Sequence, residues 1–127
     1  MSEQNGVIRI SEDVVATIAG LAAVETPGIA GMSAGISEGW TKRLSGKNVQ
    51  KGVSVEVGET ETKIHLRVVV RYGSKIHDVC RDLQLRVKEA VENMTGLRVV
   101  EVNVKVEGVA FRDKEEEAEE EQHPRVT

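Results

Sequence analysis

Two stretches of the sequence alternate between apolar and polar residues with a period of two. In residues 53–72, valines, Ile64 and Leu66 alternate with polar side chains, and the turn-forming segment "GETET" divides the stretch. In residues 98–111, valines alternate with polar residues such as Glu101 and Lys105. Successive side chains of a strand point to opposite faces, so each stretch predicts strands that are apolar on one face only. A sheet of such strands must cover one face and leave the other polar.

Two segments have the spacing of helices that could supply this cover. The first begins after a predicted N-cap at Ser11 and stops before Pro27. The second opens at Ser74 and ends at a predicted C-cap, Gly96. Its apolar stripe consists of Ile76, Val79, Cys80, Leu83, Val87, Ala90, Val91 and Met94. The predicted fold is an α+β two-layer sandwich, a mixed β-sheet with two main amphipathic helices packed on one face.

Charge divides the chain into a nearly neutral body and an acidic end. Residues 113–127 hold seven of the 21 acidic residues and only two of the 17 basic ones. We therefore predict one domain over residues 1–112 and an acidic disordered tail over residues 113–127. The near-neutral body and the presence of only one Trp, one Tyr and one Phe argue against a dedicated nucleic-acid-binding protein.

The glycine-rich segment "PGIAGMSAGISEGW" was tested for nucleotide and hydrolase motifs. Gly46-Lys47 lacks the glycine and the hydroxyl residue that a P-loop needs around it. G-x-S-x-G occurs twice, centred on Ser33 and Ser37, but that motif requires a preceding strand, and here a helix and Pro27 are expected first. The segment is predicted to link the first helix to the hairpin. A short helix within it would align Ile36, Trp40 and Leu44.

No set of residues predicts catalysis, a cofactor or a metal. The single cysteine, Cys80, lies in the apolar stripe and is expected to be a buried, inert thiol. His77 and Cys80 are only two ligands, and a structural zinc site needs four. The N-terminus has no basic start or apolar run, and no stretch approaches the ~20 apolar residues that span a bilayer. We expect a non-enzymatic protein of the reducing cytoplasm.

The polar sheet face holds the main candidate site. Two interpretations stay open for it: an ordinary solvated face, or a surface for an acidic partner, another copy of the chain or anionic headgroups. The same choice applies to a second group of residues at the end of the glycine-rich segment, where Trp40 either packs on the sheet or anchors an interface. Together the candidate partner-binding residues are Lys63, His65, Arg67, Arg71, Lys105, Trp40, Lys42 and Arg43.

Several segments together resemble the alkaline shock protein family. They are "PGIAGMSAG", "SGKNVQKGVSVEVGE", "VVVRYGSKI" and "VKEAVENMTGLRVVEVNVKVEGVAF", and the resemblance runs over residues 7–112. It implies a small cytoplasmic α+β stress protein of Gram-positive bacteria without known catalytic activity. Some members gather at the inner face of the membrane through a small membrane-anchored partner, some self-associate, and some are linked to lipid synthesis or envelope homeostasis. Arg71 and Cys80 depart from the residues usual at those positions.

These observations predict a stress-response adaptor or scaffold. It would bind a membrane-anchored protein partner, itself, or both, and act in cell-envelope or lipid-synthesis homeostasis. Membrane contact would be peripheral only. The alternative is a nucleic-acid-binding regulator that uses the basic sheet face.

Overall fold

A computed structural model describes residues 5–33 and 51–111 of the chain. Within them, two helices and four strands form two layers, with both helices on one face of a single sheet, which confirms the predicted α+β sandwich. The elements in chain order are α1 (Glu12–Val24), β1 (Ile29–Met32), β2 (Val53–Val57), β3 (Glu61–Arg71), α2 (Ile76–Thr95) and β4 (Arg98–Ala110).

Strand β3 is the centre of the sheet. It pairs antiparallel with β2 through the predicted hairpin, antiparallel with β1, and parallel with β4 across its whole length, so the sheet is mixed as expected. The parallel pairing follows from α2, which carries the chain back to the start of β3 before β4 begins. Because α2 returns the chain, β4 lies on the side of β3 away from β1 and β2.

Strands β1 and β2 lie end to end along the same edge of β3. Met32, the last residue of β1, is opposite Val68, and Val53, the first residue of β2, is opposite Leu66. Gly52 sits in the gap between them, where its carbonyl accepts a hydrogen bond from the Arg67 N–H at 2.8 Å. The chain therefore leaves the sheet at the end of β1 and returns at nearly the same point.

The helix ends follow local capping chemistry. The Ser11 hydroxyl accepts a hydrogen bond from the Val14 N–H and confirms the predicted N-cap of α1. Gly96 ends α2 with φ +78°, also as predicted, because only glycine adopts this left-handed conformation without strain. The start of α2 was predicted two residues too early: its N-cap is Lys75, whose side chain makes no capping hydrogen bond.

The core lies between the helix layer and the inner face of β3. The predicted stripe of α2 is confirmed at its centre, where Leu83, Val87 and Val91 are completely buried. Ile76 and Met94, in the first and last turns, are exposed. The buried side chains of β3 are Thr62, Ile64, Leu66, Val68 and Val70. They alternate with the outward polar set, which confirms the period-two prediction.

Three local predictions were wrong. Residues 29–32 form strand β1, whereas the sequence predicted a link there. A register shift between Thr62 and Lys63 leaves Val100 without a partner on β3, so Val99 takes the inner position predicted for Val100. The segment "GVIRIS" was noted as β-rich, yet Val7 and Ile8 are 77% and 90% exposed and lie outside the strands.

Other predictions fall outside the described residues. They are the short helix through Ile36, Trp40 and Leu44, the partner-binding residues Lys42 and Arg43, and the tail at residues 113–127. Across residues 5–33 and 51–111, no helix has the length and apolar character needed to cross a membrane.

Candidate functional site

The outer face of the sheet carries the polar side chains of β3 and β4. Its central strand places Lys63, His65, Arg67 and Arg71 on this face, as the alternation predicted. Lys105 on β4 is directly opposite Arg67, which confirms the expectation that it lies near the basic strand. Carboxylates of β2 and β4 are interleaved with these cations, so the face is a mosaic of charges.

Lys63 is flanked by carboxylates on both sides. The pairing register places Glu56 of β2 directly opposite it on one side and Glu101 of β4 directly opposite on the other. Opposite charges on adjacent strands stabilise a sheet modestly. The position of Lys63 therefore has a sufficient structural explanation as a cross-strand charge pair.

His65 is held by two hydrogen-bonding neighbours. Its Nε2 lies 3.1 Å from a Glu56 carboxylate oxygen, and its Nδ1 lies 3.2 Å from the Asn103 side-chain nitrogen. A neutral ring that carries its proton on Nε2 satisfies both contacts, because it donates to Glu56 and accepts from Asn103. Both ring nitrogens are thus engaged within the sheet face.

Arg67 and Lys105 form the most positive part of the face. They are directly opposite each other on β3 and β4, an arrangement of like charges that destabilises a sheet. One carboxylate offsets them: a Glu107 oxygen lies 3.6 Å from Lys105 Nζ. The Lys105 side chain remains 74% exposed. Two cations against one carboxylate leave a local positive excess that faces solvent.

Ser33 connects this charge cluster to the opposite edge of the sheet. Its hydroxyl donates a hydrogen bond to a Glu107 carboxylate oxygen across β3. This hydrogen bond, assisted by the charges of Arg67 and Lys105 and opposed by desolvation, lowers the pKa of Glu107. Glu107 therefore stays ionised at neutral pH and holds Ser33, which directly follows β1.

One premise used against the hydrolase motif was wrong, because a strand, β1, does precede Ser33. The Ser33 hydroxyl, however, is bonded to Glu107, and the ring nitrogens of His65 are bonded to Glu56 and Asn103. A nucleophile of this class requires hydrogen bonding to a base such as histidine. In the part of the chain that the structure describes, no group of three or more His, Cys, Asp or Glu side chains could hold a metal ion.

The sequence missed the role of Ser33 and Glu107. Both were noted, Ser33 as a motif serine and Glu107 as a solvated carboxylate, but 74 positions separate them. No local signal joins residues so far apart. The alternation of β4 did place Glu107 on the polar face, and that was the available half of the evidence.

The fold and the site define a class of protein: a small α+β domain with helices on one sheet face and an open, charged face on the other. Residues 1–111 match the model of the alkaline shock protein family, described as having a cell envelope-related function, and the chain belongs to that family. The match confirms the resemblance that the sequence segments carry.

Curated relatives point the same way. The chain is 40% identical over 106 residues to the uncharacterized protein YloU of Bacillus subtilis, covering 82% of this chain and 88% of YloU. It is 32% identical over 114 residues to YqhY of the same organism, covering 90% of this chain and 84% of YqhY. A stress response regulator gls24 homolog of Streptococcus pyogenes is 33% identical over 110 residues, which are 86% of this chain and 62% of the homolog.

Proposed function

We propose that this protein is a non-enzymatic adaptor of the cell-envelope stress response that binds an acidic segment of a protein partner through the outer sheet face. The partner is a membrane-anchored protein or a second copy of the chain. The pathway rests on the envelope-related family and on relatives named as stress response regulators. Lipid-synthesis homeostasis is the narrower variant of the same proposal.

The single observation that carries this proposal is the opposition of Arg67 and Lys105. Like charges on neighbouring strands cost free energy in the isolated protein, whereas Lys63 and His65 have neighbours that explain them. An acidic segment laid across β3 and β4 would remove the repulsion and form charge-assisted hydrogen bonds with Arg67. The chain enters and leaves segment 34–50, which contains Trp40, Lys42 and Arg43, beside Arg67, so the second group of candidate residues joins the same proposal.

The proposal is tested by charge reversal and pull-down from a native lysate. Arg67→Glu together with Lys105→Glu should abolish recovery of the partner. The matched control, Arg81→Glu together with Arg86→Glu, makes the same change in net charge on exposed positions of α2. Circular dichroism melts verify that both variants fold. Equal partner recovery by the wild type and the Arg67/Lys105 variant would contradict the assignment of this surface.

Binding to nucleic acid is a separate outcome of the same variants. The two described aromatic residues, Tyr72 and Phe111, lie beyond the Arg67–Lys105 pair and contact each other, with ring centroids 5.4 Å apart. They therefore offer no stacking platform beside the cations. A salt titration with RNA and DNA decides the point, and tight, salt-dependent binding lost in the Arg67/Lys105 variant would replace the protein partner by a nucleic acid.

A further inference from the structure

Helix α1 is apolar on all sides although it lies in the outer layer of the fold. Apart from Glu12, Asp13 and Thr17, its sequence EDVVATIAGLAAV consists of apolar residues and glycine. One side is buried on the sheet through Val15 and Ala19, yet Val14 and Leu21 on the other side are 45% and 46% exposed. A helix with no polar side is normally covered on both faces.

The exposed side of α1 forms one wall of an apolar groove. Helix α2 supplies the other wall with Ala90 and Met94, the latter 72% exposed. The groove has a volume of about 650 Å³ and is lined mainly by Val14, Ile18, Leu21, Ala22, Ala90 and Met94. Met94 was predicted from the sequence as a core residue, so its exposure here is a departure from the apolar stripe of α2.

Carboxylates stand at both ends of this groove. Asp13 lies in the first turn of α1 and Glu25 is the C-cap residue, and both line the groove. Twelve residues at 1.5 Å per residue separate them by about 18 Å along the axis. Neither carboxylate has an ion-pair or hydrogen-bond partner among the described residues. Helix α1 itself contains no lysine or arginine.

This charge pattern selects among occupants. A second copy that packed α1 against α1 would bring Asp13 and Glu25 against the same carboxylates, whether the helices ran parallel or antiparallel. An anionic lipid surface would meet the same repulsion. A basic amphipathic helix would instead bury its apolar side in the groove and place cations beside both carboxylates.

We propose that the groove between α1 and α2 binds an amphipathic helix of a partner protein, with an apolar face of about three turns and lysine or arginine at both ends. This surface lies in the helix layer, away from Arg67 and Lys105. The proposal therefore stands independently of the proposed function. If both hold, the protein binds an acidic segment on its sheet face and a basic helix on its helix face.

The test is an NMR titration of the full chain with two synthetic peptides of about 14 residues, enough for a helix that spans the groove. Both have leucines at helical i, i+3, i+4 and i+7 spacing; one has lysines at its ends and the other glutamates. The lysine-ended peptide should bind at least about tenfold more tightly and shift the amide signals of α1 and of residues 90–94. Equal affinities, no binding, or shifts confined to the sheet face would overturn the proposal.

Variants of the groove sharpen the result. Leu21→Gln together with Met94→Gln should weaken the lysine-ended peptide by about tenfold or more, because both side chains lose apolar contact. Leu85→Gln is the control, since Leu85 is 53% exposed on α2 but does not line the groove. Glu25→Lys should shift the preference toward the glutamate-ended peptide, and a cation is also favoured at a helix C-terminus. An unchanged preference, or sedimentation data showing that Leu21→Gln dissociates a dimer of this chain, would contradict the basic-helix assignment.

Discussion

Glu92, in the last turns of α2, accepts a hydrogen bond from the backbone N–H of Val99, the second residue of β4, at 2.9 Å. The same carboxylate oxygen lies 3.1 Å from Lys88 Nζ. The Val99 N–H, with help from Lys88 and Arg98, lowers the pKa of Glu92 below its ordinary value. One side chain thus fastens the end of the helix to the start of the parallel strand.

This contact predicts a specific dependence of stability on pH. Because the pKa of Glu92 is lower in the folded state, ionised Glu92 stabilises the fold above the ordinary glutamate pKa, and that contribution is lost as the pH falls through the folded value. Glu92→Gln should therefore lower the urea midpoint at pH 7 and have a smaller effect near pH 3. Glu89→Gln, an exposed neighbour on the same helix, is the control. An effect of Glu92→Gln that is the same at both pH values would contradict the linkage.

Two glycines of nearly equal backbone angle provide a matched pair. Gly52 and Gly96 have φ of +80° and +78°, so an alanine at either position incurs a similar backbone cost of about 1 kcal/mol. A Cβ at Gly52 would also lie 2.9 Å from the Arg67 carbonyl oxygen, whereas nothing lies within 4 Å at Gly96. Gly52→Ala should therefore cost about 1–3 kcal/mol more than Gly96→Ala in chemical denaturation. Equal losses would show that the gap between β1 and β2 tolerates a side chain.

Two leucines on α2 test the position of the core. Leu83 is completely buried and Leu85 is 53% exposed. Leu83→Ala should lower the free energy of unfolding by about 2–5 kcal/mol through lost apolar burial and the cavity left behind. Leu85→Ala should change it by less than about 0.5 kcal/mol. Urea unfolding at neutral pH measures both, and a large loss at Leu85 would mean that this leucine is covered in solution.

Cys80 tests the expectation of an unreactive thiol. It is half-buried, and desolvation raises the pKa of its thiol. The thiolate is the reactive form, so iodoacetamide should alkylate Cys80 more slowly in the folded protein than in the same chain unfolded in urea. Because the chain has one cysteine, mass spectrometry reports this site alone. Equal rates in the two states would contradict the protection.

The sequence alone determined the elements whose signals are local. The alternation in β3 identified its buried and polar faces, because the period of a strand is set by its own backbone. Ser11 and Gly96 marked helix ends because capping involves only neighbouring residues. The family resemblance could also be recognised from the amino acids alone, because contiguous segments carry it.

Tertiary structure decided what depends on distant pairing. Strand β1 has only four residues, and its glycine-rich sequence has little strand propensity of its own, so it forms because β3 offers it an edge. The bulge at Val100 results from the register against β3, which one strand cannot specify by itself. The opposition of Arg67 and Lys105 and the bond from Ser33 to Glu107 join residues 38 and 74 positions apart. Periodicity assigns a side chain to a face, but only the packed sheet determines which side chains of that face are neighbours.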